Sequence, residues 1–165
     1  MRKFCYLGAL LLVLAGCQAN SGIDAMSSLV DEKHSVSQQL NSFHKTAANA
    51  QFENYFAHFT ESAVFIGTDA SERWPVAEFR AFVEPYFSKG QGWLYVPRDR
   101  HIRVEGKVAW FDELLDSESY GECRGSGVLV KQDGLWKIAQ YNLHFPIPND
   151  LAKSITTIIR NHQAE

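Results

Sequence analysis

Four stretches with the two-residue period of β-strands follow one another in the second half of this chain, and they constrain its fold most: Trp93 to Val104, Val108 to Leu115, Glu122 to Val130 and Trp136 to Phe145. Glu105-Gly106 and Gln132-Asp133-Gly134 separate two pairs of them and read as hairpin turns, where glycine supplies the positive φ that other residues resist. Three strands or more joined this way make an antiparallel sheet, and a sheet must bury one face against something.

The first half supplies the cover. Val36, Leu40, Phe43, Ala47 and Ala50 are spaced by four and three, the signature of an amphipathic helix. The phase slips at Asn49-Ala50-Gln51, and Phe52, Tyr55, Phe56 and Phe59 then continue the spacing as a second short helix. Ala63 to Ile66 reads as a strand, closed by Gly67-Thr68-Asp69 and returned by Glu72-Arg73-Trp74. Pro75 suits the first turn of a helix whose apolar face is Phe79, Phe82, Val83 and Tyr86, and Pro85 is expected to kink or end it. After Pro146-Ile147-Pro148, Asn149 or Asp150 can cap a last helix with Leu151, Ile155, Ile158 and Ile159 on one side. The expected class is α+β, a curved antiparallel sheet packed against N-terminal helices, with a short C-terminal helix.

The chain begins differently. Arg2 and Lys3 precede an apolar run, Phe4 to Leu14, too short to span roughly 30 Å of hydrocarbon as a helix. It ends in Leu14-Ala15-Gly16-Cys17, which resembles the lipobox of bacterial lipoproteins, whose cysteine is diacylated and becomes the new N-terminus. Several acyl chains anchor stably, at about 0.8 kcal/mol per buried methylene. Gln18, where an Asp would favour the inner membrane, points to the outer one. The expected organisation is a signal peptide over residues 1–16, lipidated Cys17 and a flexible tether to residue 30, a domain over 31–148, and a C-terminal helix over 149–165. The expected location is the cell envelope, lipid-anchored, at the outer membrane and facing the periplasm. Of the three cysteines, Cys5 leaves with the signal and Cys17 is acylated, so Cys123 alone remains and no internal disulfide forms.

Composition excludes several classes. Hydrophobic residues at 45% and charged residues at 21% are ordinary globular values, so disorder and disulfide scaffolds are set aside. The net charge is −3, becomes −5 once Arg2 and Lys3 are removed, and is not gathered into a basic stripe, so a nucleic-acid partner lacks its footprint. There is no Gly-rich phosphate loop, no Gly-x-Ser-x-Gly elbow and no His-x-x-x-His spacing, so the residues imply neither a cofactor nor a metal.

Several words in the sequence, in this order, resemble the SnoaL-like branch of the nuclear transport factor 2-like superfamily. They are Phe65-Ile66-Gly67-Thr68-Asp69 with Glu72-Arg73-Trp74, then Ala109-Trp110-Phe111-Asp112-Glu113. Arg124-Gly125-Ser126-Gly127-Val128-Leu129 and Trp136-Lys137-Ile138-Ala139-Gln140-Tyr141 follow. The resemblance covers about residues 35 to 148. It implies a cone-shaped domain enclosing a pocket, often dimeric through the outer face of the sheet. Its members include isomerases, cyclases and dehydratases as well as binding and scaffolding domains, so fold alone does not give function.

Pocket enzymes of this kind need a carboxylate base where water is scarce. Asp112, in mid-strand two residues from Trp110, is the first candidate, against the plainer readings of a solvent-facing Asp or one paired with Arg124. If residues whose numbers sum to 236 face each other, Asp112 meets Arg124 inside. A three-residue turn at 132–134 sets Ser126 opposite Gln140 and Gly125 opposite Tyr141.

Two interiors remain open. One has Arg124, Ser126, Val128, Ile138, Gln140 and Asn142; the other has Gly125, Gly127, Leu129, Ala139, Tyr141 and Leu143. Small glycines opposite a tyrosine favour the second, and resemblance to the association domain of calcium/calmodulin-dependent kinase implies that Trp110, Asp112, Gly127 and Tyr141 point inward. His101 and His144 are the remaining acid–base candidates, either able to form a dyad with Asp112. Arg98, Arg100 and Arg103, at mixed parity on one strand, read as a solvated rim or, second, as a site for an acidic ligand. Binding of a small, partly apolar molecule or a partner ranks first among the functional readings. A cofactor-free enzyme with Asp112 as base comes second, and a structural homodimerisation module third.

Overall fold

The computed structural model describes the backbone of residues 16–164 and the side chains from Asp24 onward. The signal segment therefore lies outside the described residues apart from Gly16, as does the side chain of Cys17.

Helix α1 runs from Gly16 to Ala48 and α2 from Phe52 to Phe56. Val36, Leu40, Phe43 and Ala47 are buried, as their spacing requires. The helix extends well before them, through residues expected as a tether. Asp24 to Asp31 holds no Gly or Pro, and its Ala, Met and Leu favour helix, although the whole segment is exposed.

Strand β1 (Phe59–Ile66) pairs with β2 (Arg73–Pro75), and α3 (Val76–Phe87) follows. Pro85 sits in the last turn of α3, and the helix ends two residues later. Strands β3 (Val96–Glu105), β4 (Val108–Ser117), β5 (Gly121–Gln132) and β6 (Leu135–His144) form a meander. The six-stranded sheet has the order β2-β1-β6-β5-β4-β3 and is antiparallel at every pair except β1 with β6. Helix α4 (Ala152–Gln163) buries no residue, and Leu151 precedes it as its cap without a side-chain bond, in place of Asn149 or Asp150.

Register differs from expectation in a way that decides the site. The turn after β5 has two residues, not three: Asp133 and Gly134 both take positive φ (50° and 81°), and Gln132 pairs with Leu135. A bulge between Val128 and Leu129 moves the register once more. The two single shifts together restore parity, so Gly127 faces Tyr141 and Gly125 faces Leu143. On the near side of the bulge parity is reversed, and the fully buried residue is Ile138 rather than Ala139.

Between β4 and β5 paired numbers sum to 238, so Asp112 faces Ser126 and Arg124 faces Leu114. Ala109, Phe111, Glu113 and Leu115 are all buried, while Trp110 and Asp112 are exposed. The odd positions of β4 therefore face the helices.

Candidate functional site

The concave side of the sheet, α1 and α3 enclose a cavity of about 280 Å³. Its floor is aromatic and buried. Phe43 packs on Tyr141 with ring centroids 4.9 Å apart, and Phe65 stacks on Phe79 at 4.0 Å. Its mouth is set by half-exposed rings, Phe82, Tyr86, Tyr120 and Phe145. Burying this many rings supplies most of the cohesion here, and the offset and tilted pairs add to it.

An imidazole reaches the cavity from α1. His44 follows Phe43 and stands four residues after Leu40, so it shares the buried face of α1 and is only 6% exposed. Its Nε2 lies 2.6 Å from Oε1 of Glu113, which is 0% exposed. The other carboxylate oxygen, Oε2, accepts from Nε of Arg100 at 2.6 Å. Arg100 in turn donates through Nη1 to the Ser37 carbonyl (3.0 Å) and to Oδ1 of Asn41 (2.8 Å), both on α1. A buried carboxylate is costly unless paired and hydrogen-bonded, and here both oxygens are occupied.

The order of this chain of contacts sets its chemistry. A carboxylate facing a guanidinium is an acceptor, so His44 donates through Nε2–H, and in the neutral imidazole the lone pair is then on Nδ1. No protein partner for Nδ1 is found among the described residues. The contact of Nε2 with Glu113 thus fixes the orientation of the imidazole in the cavity wall.

Three buried or half-buried phenols share the cavity with it. Burial, reinforced by the Glu113 carboxylate, raises the Tyr141 phenol well above its ordinary range, and burial does the same for Tyr55. Tyr95 is pushed up to about 12, first by burial and then by Cys123. All three remain protonated, so they are hydrogen-bond donors at neutral pH.

Gly125 makes the arrangement possible. A Cβ there would lie 2.3 Å from the Tyr141 hydroxyl and 3.2 Å from Oε1 of Glu113. Only glycine leaves room for both groups.

The residues expected to carry the site are divided between the two faces. Tyr141 and Leu143 line the cavity, and Leu129 and Gly127 are buried on the same side. Trp110 (45% exposed), Asp112 and Arg124 lie on the opposite, convex face, so the inward placement of Trp110 and Asp112 is corrected. The physical reason is parity: β4 turns its odd positions inward. His101 stands directly opposite Asp112, but on that outer face and exposed, where neither touches the cavity. No Asp112–Arg124 ion pair forms among the described residues. His144 is half-buried near the end of β6, and its pKa is lowered by burial and then by Arg124. Arg98 pairs with Asp116 at 3.1 Å, as a rim residue does, but Arg100 turns inward because a bulge at Asp99 (φ 48°) resets β3.

The sequence does not single out His44 or Glu113 as site residues, and it reads Arg100 as part of a rim, which the structure corrects. Two signals mark them. His44 occupies an apolar position of the helical repeat, and Glu113 interrupts the alternation Ala109, Phe111, Leu115.

The likeness to known proteins is broad in fold and thin in sequence. A protein of unknown function with a nuclear transport factor 2-like fold from Pseudomonas putida is 12% identical, with a TM-score of 0.62 over 76% of this chain and 91% of that one. A Nostoc punctiforme protein of unknown function with a cystatin-like fold is 15% identical, with a TM-score of 0.58 over 68% and 89%. A Novosphingobium aromaticivorans protein, provisionally named a scytalone dehydratase, is 12% identical, with a TM-score of 0.64 over 74% and 89%. At such identities these structures establish the fold alone. No curated protein matches the chain. The SnoaL-like domain model, however, matches residues 36–148, from the first buried turn of α1 to the end of the sheet, and the chain therefore belongs to the SnoaL-like domain family.

Proposed function

We propose that the cavity binds a small, largely apolar molecule and that His44 makes it a cofactor-free acid–base catalyst of proton transfer, of the isomerase, cyclase or dehydratase kind. The observation that carries this reading is the 2.6 Å contact between His44 Nε2 and the fully buried Glu113, at the floor of an aromatic cavity. A base of this design accepts a proton at Nδ1 while the carboxylate stabilises the imidazolium that forms. Tyr141, kept protonated, is placed to donate to the oxygen on which charge develops. Glu113 is a positioning residue, as is Arg100 behind it. The scytalone dehydratase assignment of the Novosphingobium structure agrees with this class of reaction.

Elimination of 5-nitrobenzisoxazole, an apolar bicycle that opens when one C–H proton is removed, tests the base directly. Saturable turnover is expected, falling by about a hundredfold or more in His44→Gln. An unchanged rate in that variant removes His44 from the chemistry, and an absence of saturation removes the binding site.

The leader supports a second part of the reading. Leu14-Ala15-Gly16-Cys17 supports Cys17 as a lipid attachment point, which would hold the domain at the outer membrane, facing the periplasm, ahead of the exposed stretch of α1 from Asp24 to Asp31. In a bacterial host, Cys17→Ser should move the protein from the membrane fraction to the soluble one; retention in the membrane would refute the anchor. The exposed convex face, which carries Trp110, is where a second copy would pack.

A further inference from the structure

The charge of the cavity wall is one-sided. Among the described residues that line it there is no Lys or Arg, and there is one carboxylate, Glu72. Twelve of the eighteen lining residues are aromatic, so the remaining electrostatics come mainly from ring faces, which are negative.

Glu72 is held in place by the hairpin between β1 and β2. The Gly67 amide donates to the Glu72 carbonyl at 2.8 Å, and the Asp69 amide donates to Oε2 at 3.1 Å. A Cβ on Gly67 would lie 2.2 Å from Oε2, so the carboxylate rests over the bare Cα of that glycine. Asp69 is occupied in closing the turn, its carboxylate accepting from the Ser71 amide at 2.8 Å. Oε1 of Glu72 has no partner among the described residues. Trp74 stands two positions on and lines the cavity with Glu72, its ring stacked on Phe82 at 4.8 Å.

From this arrangement we propose that the cavity selects an organic cation: an ammonium group, primary or quaternary, carried on an apolar body. The ammonium sits at the rim, between the Glu72 carboxylate and the rings of Trp74 and Phe82, where charge attraction and cation–π attraction act together. The apolar body extends over Phe65 and Phe79 toward His44. Carboxylates and phosphates are disfavoured at this rim, because no Lys or Arg lines the cavity among the described residues and Glu72 repels them there. This inference rests on the cavity being a binding site and names the class of molecule it takes.

The test compares benzyltrimethylammonium with neopentylbenzene, which has the same shape and no charge. Binding is followed by fluorescence of Trp74 and Trp93, both in the wall, and by calorimetry. The ammonium is expected to bind about fivefold tighter or better, and Glu72→Gln, which can keep the Asp69 bond, should remove that advantage while leaving neopentylbenzene unaffected. Equal or tighter binding of neopentylbenzene to the wild-type protein overturns the cation selectivity and leaves the cavity standing. An ammonium preference that survives Glu72→Gln overturns the assignment to Glu72. If neither compound binds, the cavity itself is no binding site and the inference falls with it.

Discussion

Asp112 and Glu113 are neighbours in sequence, both acidic and both in the middle of β4, yet they lie in opposite environments. Asp112 stands in water on the convex face, across from His101, where an ion pair is worth about 1 kcal/mol or less. Glu113 has no exposed surface and satisfies both oxygens with groups from α1 and β3. A carboxylate on the open side of a sheet is a matter of solubility. One on the closed side persists only because a histidine and an arginine were placed to meet it, and a group that demands such partners is where chemistry is expected.

The largest effect should come from Glu113→Gln. It leaves the Arg100 guanidinium against a neutral amide, with Nη2 already buried and unpartnered. Breaking a buried pair by removing one partner costs about 3–5 kcal/mol, which for a domain of this size lowers Tm by roughly 10 °C. Urea unfolding measures it. Replacing both charges, Glu113→Gln with Arg100→Met, should recover part of the loss, because no buried charge is then stranded. A loss below about 1 kcal/mol in the single variant would mean that Glu113 reaches water, and the contrast with Asp112 would dissolve.

Why the sequence analysis placed Asp112 rather than Glu113 on the inner face is a question of parity. The helices and strands were legible because their periods of 3.6 and 2 are properties of the residues themselves: Val36, Leu40 and Phe43 on α1, and the four runs that became β3 to β6. The matching face is not such a property. It depends on turn length and on bulges, and the Asp133-Gly134 turn is one residue shorter than it reads, while bulges at Asp99 and Val128 leave no mark in composition. A resemblance to another family member then placed Trp110 and Asp112 inward. The local alternation was the better guide: Ala109, Phe111 and Leu115 are apolar, and the acid in phase with them is Glu113. His44 was legible in the same way, as a polar residue in an apolar helical register. Arg100 was not, because only the bulge before it turns its side chain toward α1.

The smallest effect is the one that secures the comparison from the other side. Asp112→Asn removes a charge from an exposed strand position without changing shape, so stability should stay within about 0.5 kcal/mol and elimination of the benzisoxazole should be unchanged. His101, across the strand pair, loses at most a screened partner. Measured at two protein concentrations a hundredfold apart, the same variant also reports on what covers this face. If the convex side is open in solution, the difference from wild type is independent of concentration. If a second copy packs over Trp110, it grows as the protein is concentrated, because the carboxylate is then read in the interface and the dimer's stability depends on mass action. A large effect on turnover at either concentration would return the base to Asp112 and reverse the assignment of the two faces.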